Sequence, residues 1–532
     1  MIFSIFTLSK LEKNWKSGLT VALVSIPLSI SLAVASGVSP VAGIITAIWA
    51  GLIASLFGSS NYNIIGPTGA LSGVIASYAL AYGAEYVPAL AIISGIFIFV
   101  AYFFKLERYL IFIPSSVIHG FTLGIACIIC LNQMNFALGL QNIPKHEKFI
   151  KNVIESFKHI PETSGSTLVL FILFFVLLLL VRKVIPLIPG AIIISPLGIL
   201  AGYMAERNII PYYFQTLGNK FGEITPSLKK IPLFSLENHM VMPALVIAFV
   251  AIVETMLSAK IADGMTKTKH NTRKELFGLG LANIISGFTG GIPATAALAR
   301  TALNVKAGAT SRLSAFLTSL GIAGGSFLFL SYFSFMPMAV VAAILIYVAI
   351  NMIEREHFER LFVHDKGNFV IAMLVALITV YEDPIIGVIS GTIMALLLLV
   401  NQLAQSYYEI TVHQPKADVK GNTDALQKNI LMYAFKGKLV YINCQAHVVR
   451  FQTNFTQYNG IILSLADVYF IDLDGVDALE EIIELVQNRK QIIALVISGS
   501  QINAMLQRSK RIKDLTHKGL IFDSMPAALD YF

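Results

Sequence analysis

Apolar segments of near-membrane-spanning length recur along this chain as far as Leu403 and then stop. They lie near 18–36, 40–58, 63–82, 87–104, 115–138, 166–182 and 188–205. After a polar stretch at 206–240 come 241–262, 273–290, 294–306, 310–331, 336–353, 368–381 and 383–404. A straight span of the bilayer core needs about 20 residues. Backbone in that medium must satisfy its own hydrogen bonds, which leaves helices and closed barrels. The runs are continuous rather than alternating, and that selects helices. Composition agrees, with 56% hydrophobic and 13% charged residues where soluble domains carry about 25% charged. A soluble enzyme and a disordered chain are excluded, and 3 Cys in 532 residues leave no disulfide framework. The chain reads as a polytopic α-helical membrane protein with fourteen spans.

The net charge of +8 is unevenly placed. Met1–Gln405 holds 26 Lys and Arg against 18 Asp and Glu, whereas Ser406–Phe532 holds 13 of each. Base beside apolar spans is a topology signal rather than a nucleic-acid surface. The N-terminal stub MIFSIFTL is too short for a cleavable signal, and Lys10, Lys13 and Lys16 follow it. With a cytoplasmic N-terminus, the inner loops collect Lys105, Arg108, Arg182, Lys183, the Lys260–Lys274 cluster, Lys306, Arg312, Arg355, Arg360 and Lys366. Outer base is confined to two longer loops, 141–166 and 206–240. Both termini are therefore expected in the cytoplasm, with the spans in the cell's plasma (inner) membrane.

The spans fall into two halves, about 16–206 and 238–404. The third segment of the first contains IIGPTGALSG, and the third of the second contains GGIPATAALARTALN. Seven is an odd number, so two such halves must face opposite ways in the bilayer. Matching Pro/Gly-interrupted short segments are the mark of that inverted repeat. Beyond 1–404, the tail 405–532 changes character. Apolar runs of strand length (LVYIN, GIILSLA, IIALVIS) alternate with amphipathic stretches such as DALEEIIELVQNRK. That alternation predicts a small cytoplasmic α/β domain.

A helix starting at mid-membrane presents unpaired N–H groups and a positive dipole end. Proline in its first turn is harmless, and small residues let a ligand approach the backbone. Gly66-Pro67-Thr68-Gly69-Ala70 and Ile292-Pro293-Ala294-Thr295-Ala296-Ala297 both fit, and two such ends facing each other suit a small anion. Of four charges near membrane depth, Lys260 and Asp263 lie close to the inner end. Glu254 and Arg300 lie deeper, where an isolated charge costs about 2.5–3.5 kcal/mol. They either pair and tether two helices, or serve function, with Arg300 adding positive potential and Glu254 exchanging a proton. Ser258, one turn from Glu254, shares its face and can complete an ion site. Cys127 and Cys130 form a CxxC inside an apolar span and read as core. His119 reads as a hydrogen-bonded structural group, and the basic cluster at 267–274 as a topology anchor.

At these residues the chain resembles the SulP family of sulfate permeases and anion transporters, which includes pendrin and prestin. The matching stretches are GLTVALVSIPLSISLAVASGVSP, IGPTGALSG, VETMLSAKIADGMTKTKHN and GLGLANIISGFTGGIPATAALARTALNVKAG. The tail resembles a STAS domain through IILSLADVYFIDLDGVDALEEI. The resemblance implies a seven-plus-seven inverted repeat, a core domain moving against a gate domain in an elevator-like cycle, and a homodimer. It implies that Thr68, Gly69, Ala297 and Leu298 lie at the anion, that Arg300 supports it, and that Glu254 and Ser258 sit at the coupling-ion position.

Two departures from the family pattern stand out. Sodium-coupled bicarbonate members carry Asp where Glu254 stands and Thr where Leu298 stands. The missing hydroxyl removes a hard oxygen ligand for sodium, so a proton is favoured as the coupling ion, with sodium still open. In the tail, the serine phosphorylated in anti-sigma-factor antagonists corresponds to Asp474 within Asp472-Leu473-Asp474-Gly475, so that switch is missing. No nucleophile–base set or metal spacing marks an enzyme, and no cofactor is implied. The expected function is secondary transport of a small anion of the sulfate, bicarbonate or dicarboxylate class, by proton symport or anion exchange. Sodium-coupled bicarbonate uptake is the alternative. A nucleobase-type permease would carry a carboxylate in place of Arg300 and lack the tail. A non-transporting sensor would need a signalling constellation in 406–532.

Overall fold

Each backbone N–H and C=O in an apolar medium needs a partner within the chain, and the helix is the local solution. The computed structural model describes residues 8–108, 114–141, 143–144, 146, 149–185, 189–222, 224, 237–382, 384–404, 407–413, 429–455, 457–507 and 509–532. Most of the N-terminal stub and parts of the two longer loops expected outside the cell fall outside the described residues. The chain separates into two compact units, Met1–Ala395 and Leu396–Phe532.

The first half of the membrane unit comprises α1 (Leu8–Ala35), α2 (Pro40–Phe57), β1 (Ile65–Gly66), α3 (Gly69–Tyr82), α4 (Val87–Phe104), α5 (Ser115–Leu138), α6 (Phe149–Lys158), α7 (Gly165–Val184), α8 (Gly190–Glu206) and α9 (Leu217–Phe221). The second comprises α10 (Val241–Thr266), α11 (Thr272–Phe288), β2 (Thr295–Ala296), α12 (Leu298–Lys306), α13 (Leu313–Phe329), α14 (Met338–Met352), α15 (Arg355–His364), α16 (Lys366–Tyr381) and α17 (Pro384–Leu403). Among the described residues, nine helical segments are long and apolar enough to cross a membrane. The spans at α3, α8, α11, α12 and α16 are shorter. The connecting helices α6, α9 and α15 were not expected.

Local signals set the ends. Pro40 opens α2, and Gly83 and Gly139 close α3 and α5 at φ of 111° and 68°. Asn271 caps α11 by accepting from Lys274 N, and Asp365 caps α16 by accepting from Asn368 N.

Packing is reciprocal between the halves. Helix α4 lies on α11 as α2 lies on α13, α1 on α13 as α10 on α4, α1 on α12 as α10 on α3, and α5 on α16 as α14 on α7. Each pair becomes the other when the halves are exchanged, which is the signature of a two-fold repeat. Its inverted sense shows where β1 and β2 pair antiparallel, Ile65 opposite Ala296 and Gly66 opposite Thr295. Small residues set the close approach around this junction. Ala50, Ala251, Ala282, Ala294 and Ala296 are buried together, as expected where lipid supplies no hydrophobic drive between helices.

The non-helical backbone beside this junction is satisfied by buried side chains. Glu275 of α11 is 3% exposed. Its Oε2 accepts from the backbone N–H of Ser59 at 2.6 Å and of Ser60 at 2.7 Å, and its Oε1 from Asn63 Nδ2 at 2.8 Å. In the second half, Asn283 Oδ1 accepts from Ala294 N at 2.8 Å, and Thr46 Oγ1 from Ile292 N at 2.6 Å. The charge of Glu275 went unnoticed in the sequence because it stands in the first turn of its helix, among basic residues.

The second unit is a five-stranded sheet in the order β3 (Tyr407–His413), β4 (Ile430–Leu439), β5 (Gly460–Ile471), β6 (Ile492–Val496), β7 (Ile521–Phe522). Strand β3 is antiparallel to β4 and the remaining pairs are parallel. Leu431, Tyr433 and Phe435 face α18 (Cys444–Asn454) and α19 (Leu473–Asn488), while Ile430, Ile462 and Val496 face the helix Met525–Tyr531. GIILSLA, IIALVIS and the DALEEIIELVQNRK helix stand as expected. LVYIN does not: β4 ends at Leu439 and the run continues as a turn. The side chain of Asn443 makes the difference, its Oδ1 accepting from Val440 N at 2.9 Å and its Nδ2 donating to Lys438 O at 2.7 Å. Edge strand β3, exposed along most of its length, was not expected.

Two outcomes follow from this packing. Glu275→Ala leaves buried donors unpaired at about 1–3 kcal/mol each, so its unfolding midpoint in detergent should fall well below that of Glu275→Gln, which keeps one acceptor. A midpoint matching the unsubstituted protein would mean that water replaces the carboxylate. In the tail, His447 is buried with Nδ1 2.9 Å from Tyr433 Oη. Burial, then Arg450, pushes its pKa down from 6.5 to about 4. The unfolded chain therefore binds a proton that the folded one refuses. Stability is full above pH 6.5 and falls by about 1.4 kcal/mol per pH unit toward about pH 4. Hydrogen exchange of β4 and α18 in the full-length protein should show this loss, and His447→Gln should abolish its pH dependence.

Candidate functional site

Extended backbone cannot pass directly into a helix without a first turn of unpaired N–H groups. Here two such turns begin side by side. Thr68 is the N-cap of α3 and Ala297 the N-cap of α12, and neither makes a side-chain capping bond. Ala297 N donates to Ile64 O at 3.0 Å, extending the β1–β2 ladder to the edge of the second helix. Both first turns open onto a cavity of about 590 Å³.

One wall of the cavity is formed by α1, α3, α10 and α12, and carries Thr68, Gly69, Glu254, Ala297, Leu298 and Arg300. The rest of the lining comes from α5, α7, α8, α14 and α17, with apolar side chains such as Phe121 and Ile344. The lining also includes His119, Arg182, Lys306 and Glu354, each near a helix end. Of the seven expected site residues, six line it together. Ser258 does not: it is buried, and its hydroxyl donates to Thr301 Oγ1 at 3.0 Å.

Arg300 is 3% exposed. Its Nη2 donates to Pro67 O, across the junction in the other half, while its buried Nη1 has no hydrogen-bond partner among the described residues. A Cβ added at Gly66 would lie 3.1 Å from Nη1, so glycine leaves room for the guanidinium to lie against the backbone. Glu254 accepts from Thr68 Oγ1 at 3.1 Å. The tethering Glu254–Arg300 ion pair is therefore not made. Each charge is instead anchored to the residues flanking the α3 start, and Arg300 acts on Glu254 through space.

Several polar groups around this site carry no distinct sequence motif. Thr255 and Thr295 hydroxyls lie 2.9 Å apart, and Thr255 Oγ1 accepts from Ala296 N at 3.2 Å. Thr301 accepts from Ile64 N at 3.1 Å. A hydroxyl on an otherwise apolar half-helix was the available signal. His119 is not hydrogen-bonded as expected. Its ring stands 3.7 Å from that of His357 and its Nδ1 3.8 Å from Glu354. Cys127 and Cys130 are free thiols in α5. Lys260 is exposed, and Asp263 accepts from His270 and Thr268 near the helix end.

The Sulfate permease family matches residues 11–375 of the chain. Among relatives, YvdB of Bacillus subtilis is 32% identical over 518 residues, covering 95% of each protein. The bicarbonate transporter BicA of Picosynechococcus is 26% identical, covering 93% of this chain and 90% of that one. Among solved structures, the murine Slc26a9 anion transporter in the inward-facing state aligns with a TM-score of 0.82 at 18% identity, covering 100% of this chain and 93% of its own. The transmembrane domain of a cyanobacterial BicA aligns at 0.64 and 24% identity, over 72% of this chain and 98% of its own. The fold is that of these membrane transporters, not of an enzyme, and the chain belongs to the sulfate permease family.

Proposed function

We propose that this protein is a secondary active transporter of a small anion of the sulfate, bicarbonate or dicarboxylate class, working by proton symport or anion exchange. The observation that carries the reading is the buried Nη1 of Arg300, unpartnered and beside two helix N-termini in one cavity. An unsatisfied cationic donor is costly in a low-dielectric interior unless an anion completes it. Thr68, Gly69, Ala297 and Leu298 would line the bound anion.

The cavity residues Arg300, Glu254 and Thr68 belong to α12, α10 and the N-cap of α3, whereas α5, α7, α8, α14 and α17 bring side chains such as Phe121, Leu178, Ile344 and Val388. This division supports an elevator-like cycle, in which the anion stays with the first helix group while it slides past the second. Glu254 and Arg300 cancel in charge. One bound monovalent anion leaves an excess of one negative charge, and a proton on Glu254 restores the balance. That supports proton coupling. Leu298 brings no hard oxygen and Ser258 does not line the cavity, which counts against sodium; sodium-coupled uptake of bicarbonate, the anion named for the BicA relatives, is the second reading. The base near helix ends, as at Arg182 and Lys306, supports cytoplasmic termini, and the plasma membrane is the proposed location. The family likeness favours a homodimer.

Reconstituted protein should take up at least one of sulfate, bicarbonate, chloride or succinate in liposomes, with a pH gradient driving accumulation and sodium having no effect. No uptake of any of the four overturns transport, and uptake that needs sodium selects the second reading. Glu254→Gln should lose the pH dependence while retaining anion exchange in counterflow. Unchanged pH dependence would remove Glu254 as the coupling group.

A further inference from the structure

Thr68 occupies the N-cap of α3 with the extended backbone typical of that position, φ −132° and ψ 159°, yet its hydroxyl makes no capping bond. A threonine there normally accepts from an N–H one turn on. Here the hydroxyl is diverted and donates to Glu254 Oε2. A hydroxyl has a single proton and can donate to one acceptor at a time. Thr68 is 5% exposed and lines the same cavity as Gly69, Ala70 and Arg300. Its proton therefore has two competing acceptors, the carboxylate of Glu254 and an anion at the first turn of α3.

We propose that Thr68 is a positioning residue that relays the protonation of Glu254 to the bound anion by reversing one hydrogen bond. With Glu254 ionised, the Thr68 proton is held by its carboxylate. When Glu254 takes up a proton from the cavity, its own O–H donates to Thr68 Oγ1. The Thr68 proton then turns to the anion. No covalent bond changes other than the O–H gained by Glu254. Protonation thus removes a negative charge and adds a donor in one event.

This inference rests on the transport reading above and deepens it. Arg300 of α12 is the charged group acting on Glu254. Glu275 of α11 is turned to the Ser59–Asn63 turn, and the Thr295 hydroxyl, which also stands beside Glu254, gives its single proton to Ala251 O. His119, Arg182, Lys306 and Glu354 also line the cavity, and their charges act alike on the variants compared below.

Simple repulsion between Glu254 and the anion also predicts tighter binding in acid, but it does not involve Thr68. The test is counterflow with equal pH on both sides, using the four anions named above, with sulfate first because it keeps one charge state. A charge-assisted hydrogen bond gained only in acid means that Thr68→Val should raise the KM about tenfold more at about pH 6 than at about pH 8.5. Thr68→Ser should restore the original profile, and Thr68→Ala serves if the valine variant does not fold. In a Glu254→Gln background the amide donates to Thr68 Oγ1 permanently. There the Thr68→Val penalty should be large and the same at both pH values. A penalty independent of pH with Glu254 present, or failure of serine to restore the profile, overturns the relay alone. Absence of saturable exchange for every anion with the unsubstituted protein overturns the transport reading beneath it.

Discussion

The membrane unit depends on the antiparallel pairing of Ile65–Gly66 with Thr295–Ala296. Extended backbone at membrane depth survives only when its N–H and C=O groups are paired and shielded by protein. Each half provides the other's partner, so neither half-helix could begin where it does alone. The pairing aligns the starts of α3 and α12 and gathers two positive dipole ends at one cavity. Arg300 then crosses the junction to bond Pro67 O, which anchors a cation of one half to the backbone of the other. The site's positive potential is therefore built into the seam rather than carried on a mobile side chain.

Holding that seam takes a set of buried polar groups that differ between the halves. The turn before β1 is gathered by the carboxylate of Glu275, whereas the turn before β2 is held by neutral Asn283, Thr46 and Ser286. Thr255 of α10 serves both: its carbonyl accepts from Asn63, and its hydroxyl meets Thr295 and Ala296 N. The two-fold is thus a symmetry of packing and not of chemistry. Helices approach through glycine in both helix groups, as where Gly95 lies against the Gly280 backbone, Gly287 against Pro88 and Gly120 against the Ala372 backbone.

Much of this was legible in the sequence. The half-helices announced themselves through Gly66-Pro67 and Ile292-Pro293 with small residues after them, because proline and glycine act on the local backbone. Glu254 and Arg300 stood out because charge is so scarce in the spans. Other features were hidden. Glu275 looked like one more charge near a helix start among Arg273 and Lys274, and only the turn at Ser59–Asn63 reveals that it is buried. Glu254 and Arg300 invited a pairing that is not made, since Thr68 and Pro67 lie nearer to each. LVYIN read as a strand because its apolar content is high, but the Asn443 side chain closes a turn that composition does not register.

By itself the sequence determined the class, the span positions, the inverted duplication and the separate α/β tail. These rest on local quantities: the cost of moving each side chain out of water, the backbone limits of proline and glycine, and the period of apolar residues. The tertiary structure decided which groups meet. Arg300 and Pro67 are 233 positions apart and Glu275 and Ser59 are 216 apart, yet each contact is a hydrogen bond that fails beyond about 3.5 Å. No local pattern encodes a distance of that kind. It emerges only when both halves have packed and the seam has formed.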